Sequence, residues 1–122
     1  MKNLIPNNLE EAFLFLDKML DSDLNQLLKQ TFLQAPTEEI ATKLHHSLGR
    51  NLRNNWKIWH GKNESNLCKF FWDNFGIYHP DDISAMILKS YWRYVHGQEL
   101  KLKEQAQFYL DYWKKMEKNE NI

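Results

Sequence analysis

The sequence is poor in the residues that disulfide staples, tight turns and membrane spans require. Among 122 residues it has one cysteine, three prolines and four glycines. A single cysteine excludes an intrachain disulfide, and with it the disulfide-stapled class of secreted scaffolds. No apolar run approaches the roughly 18 residues of a membrane span, and the N-terminus has no run long enough for a signal peptide. We therefore expect a cytoplasmic protein with no membrane partner.

The sequence also lacks an excess of charge of either sign. It has 16 Lys plus Arg and 16 Asp plus Glu, so its formal net charge is zero. A broad nucleic-acid interface requires an excess of basic residues, so this balance argues against a nucleic-acid partner. A glycine-rich phosphate loop, a C-x-x-C pair, an H-E-x-x-H helix and a G-x-S-x-G elbow are all missing. The sequence therefore predicts no cofactor and no metal site.

What the sequence has is helical periodicity. Apolar residues recur every three or four positions along most of the chain, and no segment alternates convincingly with period two. Start and stop signals between these stretches divide the chain into about five or six helices. We predict an all-α, single compact bundle-like domain over residues 1–122, with a loop at 60–63 and a frayed polar tail at 117–122.

Local signals place several helix ends. Ser65 is predicted to cap the fourth helix and Gly76 to end it, and His79 and Pro80 are predicted to begin the fifth. Pro36 is predicted at the first position of a third helix that runs to about residue 56. Gly49 lies inside that third helix, which indicates either a bend or the close approach of another helix.

The aromatic stripe of the fifth helix predicts which of its side chains are inside. Helical spacing places Tyr91 and Tyr94 in the core, and Trp92 and Arg93 nearer the surface. Cys68 lies in an apolar helical context, so we expect it to be a small buried hydrophobic residue rather than a nucleophile.

A segment rich in Arg, Asn and Trp lies in the predicted third helix. Positions three and four apart share a helix face, so Arg50, Arg53, Asn54 and Lys57 form a polar stripe that is mostly basic, with His46 one turn before it. Guanidinium groups bind carboxylates, and Arg and Trp are enriched at binding hot spots. One interpretation is a recognition surface. The other is a solvated helix face with one ion pair, with Trp56 and Trp59 in core and lid packing.

A second polar segment begins the predicted fifth helix and contains His79, Asp81 and Asp82. Carboxylates in the first turn of a helix favourably oppose its dipole, so one interpretation is capping, with Arg53 paired to one of the two aspartates. In a catalytic interpretation, an Asp is the base and Arg53 its electrostatic partner. A metal site would need a histidine from positions 45–46 as well, and no second His lies at metal spacing on the same helix.

Together these segments resemble a family of small bacterial domains of unknown function. Its members carry a similar R-N-N-W segment, here Arg53-Asn54-Asn55-Trp56 followed by Trp59, and then a G-I-x-H-P-D-D-M-S segment, here Gly76 to Ser84. Ile58 stands where Leu is usual, and Ile83 where Met is usual. The resemblance covers most of the chain and implies no established activity. Some members look like neighbours of bacterial toxin systems, which implies an immunity role.

We therefore predict a monomeric or weakly dimeric protein-binding domain, an immunity protein that blocks a bacterial toxin by occlusion. Its candidate binding residues are Arg50, Arg53, Asn54, Trp56, Trp59 and Trp92. The alternative is a small enzyme built from the same two segments. Its candidate catalytic residues are Arg53, His79, Asp81 and Asp82.

Overall fold

The computed structural model describes residues 5–59 and 65–120, except the side chains of residues 24, 119 and 120. Within these ranges the chain is all helical and has no strand, which confirms the predicted fold class. The α-helices are α1 (Leu9–Leu20), α2 (Gln26–Gln34), α3 (Ile40–Lys43), α4 (Arg50–Asn55), α5 (Asn66–Phe75), α6 (Pro80–Val95) and α7 (Leu102–Glu120). A 3-10 turn (Asp23–Asn25) precedes α2, and a π-helical segment (His45–Gly49) joins α3 to α4. The predicted loop at 60–63 lies outside the described residues.

The predicted ends of α5 and α6 are confirmed by their capping geometry. The Ser65 side chain accepts a hydrogen bond from the Cys68 amide at 3.2 Å and so caps the start of α5. Gly76 ends α5 in the left-handed conformation, with φ of 70°. At the start of α6, Nδ1 of His79 accepts from the Asp81 amide at 3.2 Å. These ends depend on short-range interactions, which is why spacing along the chain could predict them.

The predicted third helix is wrong at its start. Pro36 lies in an exposed turn, and helical structure begins only at Ile40. The Trp92 indole donates a hydrogen bond to the carbonyl of Ala35 at 3.0 Å, so a contact from α6 ties down the segment just before Pro36. Residues 5–59 and 65–120 therefore form seven α-helices, where five or six were predicted, because the remainder of this helix is also divided into α3 and α4.

The π-helical segment makes that division. The Gly49 amide donates to the Leu44 carbonyl at 2.9 Å, which is a bond between residues five apart. Gly49 is buried, and a Cβ atom built on it would lie 3.0 Å from Nη1 of Arg53. The missing side chain thus leaves space for a guanidinium group of the next helix, rather than for another helix backbone.

Helix α6 is the centre of the fold. It packs against α1, α2, α3, α4, α7 and the π-helical segment. Trp92 is 5% exposed and Tyr94 is 45% exposed, so the predicted surface position of Trp92 and core position of Tyr94 are both wrong. Because α6 has neighbours on most sides, its buried surface is wider than one apolar stripe. Tyr94 falls on the remaining side, where it stacks on Phe13.

Helix α7 packs along α6, with contacts from Asp82 to Ser90, and its Ala106 and Tyr109 are both buried. It remains helical as far as Glu120, beyond Glu117 where the frayed tail was expected, and residues 121–122 lie outside the described ranges. None of the helices in the described ranges is long and apolar enough to cross a membrane.

Candidate functional site

Arg53 lies at the centre of the site and inside the protein. Its side chain is 2% exposed. Nη1 donates to Oγ of Ser84 at 2.7 Å, and Nη2 donates to the carbonyl of His45 at 3.0 Å. The Ser84 hydroxyl in turn donates to the carbonyl of Asp81 at 3.2 Å. Arg53 therefore links α4 to the first turn of α6 and to the start of the π-helical segment.

The predicted ion pair of Arg53 is confirmed, and its partner is Asp81. The Arg53 Nε and Asp81 Oδ1 atoms are 3.7 Å apart, close enough for an ion pair and too far for a hydrogen bond. The buried Nε has no hydrogen-bond partner within the described residues. Burial lowers the pKa of Arg53, and the Asp81 carboxylate partly opposes that effect. The Asp81 side chain is 46% exposed, so this carboxylate keeps access to water.

His45 contacts both Arg53 and Asp81. Its Nδ1 lies 3.4 Å from Nη1 of Arg53, and its Nε2 lies 3.7 Å from Oδ1 of Asp81. Burial and the positive charge of Arg53 lower the pKa of His45 below its ordinary value. A neutral imidazole protonated on Nε2 fits both contacts, because Nδ1 then accepts from the guanidinium. The arrangement favours a structural network over a proton-transfer pair, since Ser84 donates to a backbone carbonyl and not to His45.

Trp59 covers the Arg53 guanidinium from the solvent side. The Arg53 Cζ atom lies 5.0 Å from the centre of the indole ring, a cation–π contact. The Trp59 Nε1–H donates to Oδ1 of Asn54 at 2.6 Å, which fixes the orientation of the ring. The ring nevertheless remains 43% exposed. Arg50 and Asn54 are exposed on the same stretch of chain, so these three residues form one surface, which we call the Trp59 surface.

The other three candidate binding residues do not reach the surface. Trp56 is 4% exposed and packs edge-on against Phe15 in the core. Trp92 is buried with its indole bonded to a backbone carbonyl. Arg53 is buried beneath Trp59. The polar stripe predicted from helical spacing is therefore divided, with Arg53 facing inward and its neighbours facing solvent.

Asp82 belongs to a different part of the molecule from Asp81. Its Oδ2 accepts a hydrogen bond from the Trp113 indole of α7 at 2.8 Å. The His79 ring stacks on the same indole at a centroid distance of 5.1 Å. Burial raises the pKa of Asp82 above its ordinary value, and the Trp113 hydrogen bond opposes part of that rise. A single catalytic centre that joins Arg53, His79 and both aspartates is therefore not formed, because Arg53 faces Asp81 alone.

A groove of about 390 Å³ opens beside Asp82, between the segment that follows α5 and the face of α7. We call it the Asp82 groove. Its principal lining residues are Trp72, Tyr78, His79, Asp82, Leu110 and Trp113. Within the described residues, no group of three or more His, Cys, Asp or Glu side chains could hold a metal ion. The groove is therefore mainly aromatic, with Asp82 as its part-buried carboxylate and the exposed Glu117 at its edge, rather than a cluster of metal ligands.

Three residues of these two networks were not predicted from the sequence, namely His45 as an Arg53 partner, Ser84 and Trp113. Ser84 lies three residues after Asp81 and so on the same side of α6, which is a signal that could have placed it beside Arg53. Trp113 is 31 residues from Asp82 and belongs to no motif, so nothing along the chain connects it to the site. Cys68 is buried, as expected from its apolar context.

Comparison with known proteins gives a family and no function. The model of a family described as a domain of unknown function, DUF6794, matches residues 5–95. No curated protein and no solved structure matches the chain significantly. The matched region ends at Val95, the last residue of α6, so α7 and its Trp113 lie outside it.

Proposed function

We propose a protein-binding role for this chain, which belongs to the DUF6794 family of domains of unknown function. It acts without catalysis, as a cytoplasmic bacterial immunity protein that occludes the cleft of a toxin. The observation that carries this proposal is the exposed indole of Trp59, whose orientation is fixed from two sides.

A fixed and exposed indole is suited to binding a protein surface. Trp and Arg are the residues most enriched at binding hot spots, where one large side chain fills a pocket of the partner. Because Asn54 and Arg53 already hold the Trp59 ring, little conformational entropy is lost when a partner packs against it. Arg50 and Asn54 lie exposed on the helix that precedes it and supply a polar rim.

The burial of Arg53 favours this role over catalysis. Both of its Nη atoms donate to groups within the fold, and Trp59 covers its outer side. The guanidinium is thus unavailable to stabilise a reacting group. In this arrangement the Arg-Asn-Asn-Trp segment builds a rigid support, and the surface that it supports makes the contact with the partner.

One observation favours the alternative of a small enzyme. Asp82 lines a groove, and its pKa is raised, as for a carboxyl that acts as a general acid or base. An enzyme of this kind would use Asp82 and His79 without Arg53, since Arg53 faces Asp81. It predicts that Asp82→Asn abolishes function while the fold and the binding of any partner remain.

A growth-protection assay tests the proposal. The product of the neighbouring gene is expressed in a host that lacks this chain, and the chain is supplied as the wild type or as a variant. We expect that product to arrest growth and the wild type to restore it. Trp59→Ala should lose protection although the protein remains folded. Leu27→Ala is the matched control, because Leu27 is an exposed apolar residue of α2, at 83%.

Two outcomes would contradict the binding proposal. One is a neighbouring product that has no effect on growth and no affinity for this chain. The other is full protection by Trp59→Ala together with loss of protection by a folded Asp82→Asn protein, which would favour the enzyme.

A further inference from the structure

We propose that the Asp82 groove is a binding site for an organic cation, with an ammonium or guanidinium head group. The groove shares no residue with the Trp59 surface. A failed test of cation binding would therefore leave the proposed protein-binding role intact, and a failed test of protein binding would leave the cation site intact.

The walls of the groove have the chemistry that recognises such a cation. Trp72 and Tyr78 meet edge to face, with ring centroids 6.0 Å apart and planes at 75°, so they form two walls of a corner. Trp113 supplies a third aromatic group from α7, with one of its faces stacked on the His79 ring. Aromatic faces attract ammonium and guanidinium groups through the quadrupole of the ring, and recognition of alkylammonium ligands commonly uses several rings together. A volume of about 390 Å³ suits a head group with a short carrier chain.

Asp82 supplies the complementary charge. Its Oδ2 is occupied by the Trp113 indole, while no described residue donates to Oδ1. No Lys, Arg or His of the described ranges lies within ion-pair distance of this carboxylate. His79 and Lys89 act on this carboxylate only from beyond that distance, so a bound cation would supply a direct counter-charge.

The other charged groups nearby leave this role to a ligand. Lys89 donates to the Tyr109 hydroxyl at 2.9 Å and lies over the Phe108 and Tyr109 rings, so its ammonium is already held elsewhere. Lys114 and Glu117 line the groove as well, both exposed and of opposite charge. Lys114 and Glu117 offset one another, so the negative charge that a ligand would meet in the groove is the ionised Asp82 carboxylate, beside the His79 ring that stacks on Trp113.

The raised pKa of Asp82 is consistent with this reading. Its first cause is burial, which penalises the ionised carboxylate. A cation bound at Oδ1 would favour the ionised form, and binding would therefore lower this pKa towards its ordinary value.

The groove is only partly built from the region that the family model matches, because Leu110 and Trp113 come from α7.

The same cation chemistry could come from a free alkylammonium compound or from a Lys or Arg side chain of another protein. Three probes represent these sources: choline, N-acetyl-lysine methylamide and N-acetyl-arginine methylamide. The neutral control is 3,3-dimethylbutan-1-ol, which has the shape of choline without its charge. Titration is followed by NMR through the indole Nε1–H signal of Trp113, which is identified by its loss in a Trp113→Phe protein.

We expect at least one cationic probe to shift that signal with saturation in the millimolar range, and the neutral alcohol to leave it unchanged. Asp82→Asn keeps an oxygen acceptor for the indole but lacks the charge, and should weaken the probe about tenfold. Tyr78→Ala removes a half-exposed ring and should also weaken it, while Leu27→Ala should not. Choline alone would indicate a free alkylammonium ligand, and a capped amino acid would indicate a side chain of another protein.

Three results would overturn the proposal. The first is no shift with any cationic probe. The second is an equal shift with the neutral alcohol, since this would show apolar binding only. The third is undiminished affinity in folded Asp82→Asn and Tyr78→Ala proteins.

Discussion

Replacement of Arg53 by Ala tests whether this residue supports the fold or is available for function. The substitution removes two charge-assisted hydrogen bonds, to Ser84 Oγ and to the His45 carbonyl, as well as the ion pair with Asp81. It also empties a fully buried volume beneath Trp59.

The expected loss follows from what each partner can do afterwards. Asp81 is 46% exposed and can be solvated, so no buried lone charge remains. The His45 carbonyl still accepts from the Arg50 amide, and Ser84 still donates to a carbonyl. Hydrogen bonds to a charged group contribute about 1.5–3 kcal/mol each. Desolvation of the guanidinium offsets part of this sum, while the cavity adds to the loss. We expect Arg53→Ala to lower the free energy of unfolding by about 3 kcal/mol, or the melting temperature by about 10 °C.

The measurement is urea unfolding followed by circular dichroism, because the fluorescence of Trp59 itself would change with its neighbour. Arg53→Met is the matched variant, since it fills much of the volume without a buried charge, and it should cost only about 1 kcal/mol. A change of less than about 0.5 kcal/mol for Arg53→Ala, with an unchanged denaturant slope, would refute a structural role for Arg53.

Gly49 provides an independent check of the same packing. An alanine Cβ at this position would lie 3.0 Å from the Arg53 guanidinium. Gly49→Ala should therefore fail to give the stabilisation of about 1 kcal/mol that helix propensity alone predicts. In an Arg53→Met background the close contact is gone, so the same change should become more favourable by about 1 kcal/mol. Additive effects of the two substitutions would show that Arg53 does not occupy this space.

Two further predictions concern pH and use unfolding free energies. Because the pKa of His45 is lowered, the native state favours the neutral imidazole. The stability that this preference contributes is present above the pKa of the unfolded state, near 6.5, and is lost as pH falls through the lower pKa of the folded state. The loss on acidification should be smaller in His45→Asn, and an identical pH profile would contradict the assignment. The pKa of Asp82 is raised, so the native state favours its neutral carboxyl. The stability that this preference contributes is present below the pKa of the unfolded state, near 3.8, and is lost as pH rises through the higher pKa of the folded state. At pH 7, Asp82→Asn should therefore lower the free energy of unfolding by no more than about 0.5 kcal/mol. A loss above about 2 kcal/mol would contradict this.

Helix ends could be predicted from the sequence where a local contact makes them, as at Ser65, Gly76 and His79. The start of the third helix could not be predicted in this way, because Pro36 also suits a turn, and the hydrogen bond that holds the preceding Ala35 carbonyl comes from Trp92, far along the chain. The prediction of which α6 side chains are buried was wrong for a similar reason. A pattern read as one apolar stripe assumes one buried face, and α6 has neighbours on several.

The site was predicted in part. Helical geometry turns successive residues by about 100°, so Asp81 and Asp82 could not both face Arg53. The sequence could therefore predict that one of them pairs with Arg53, but not which one. Gly49 indicated an irregularity in this part of the chain, but no sequence signal showed that a π-helical segment there would position His45 against Arg53. Trp113, which donates a hydrogen bond to Asp82, lies on α7. Local sequence patterns cannot show how that helix packs against α6.

The most direct test of the protein-binding account is the affinity of the neighbouring gene product for Trp59→Ala, measured by isothermal titration calorimetry beside the wild type. Trp59→Ala leaves the guanidinium less covered, so its melting temperature is measured first, and titration is done well below it. We predict that the dissociation constant rises about thirtyfold or more, as for a hot-spot residue, while Leu27→Ala leaves it unchanged. A folded Trp59→Ala protein that binds within about threefold of the wild type would contradict the account, because three-fold corresponds to less than 1 kcal/mol.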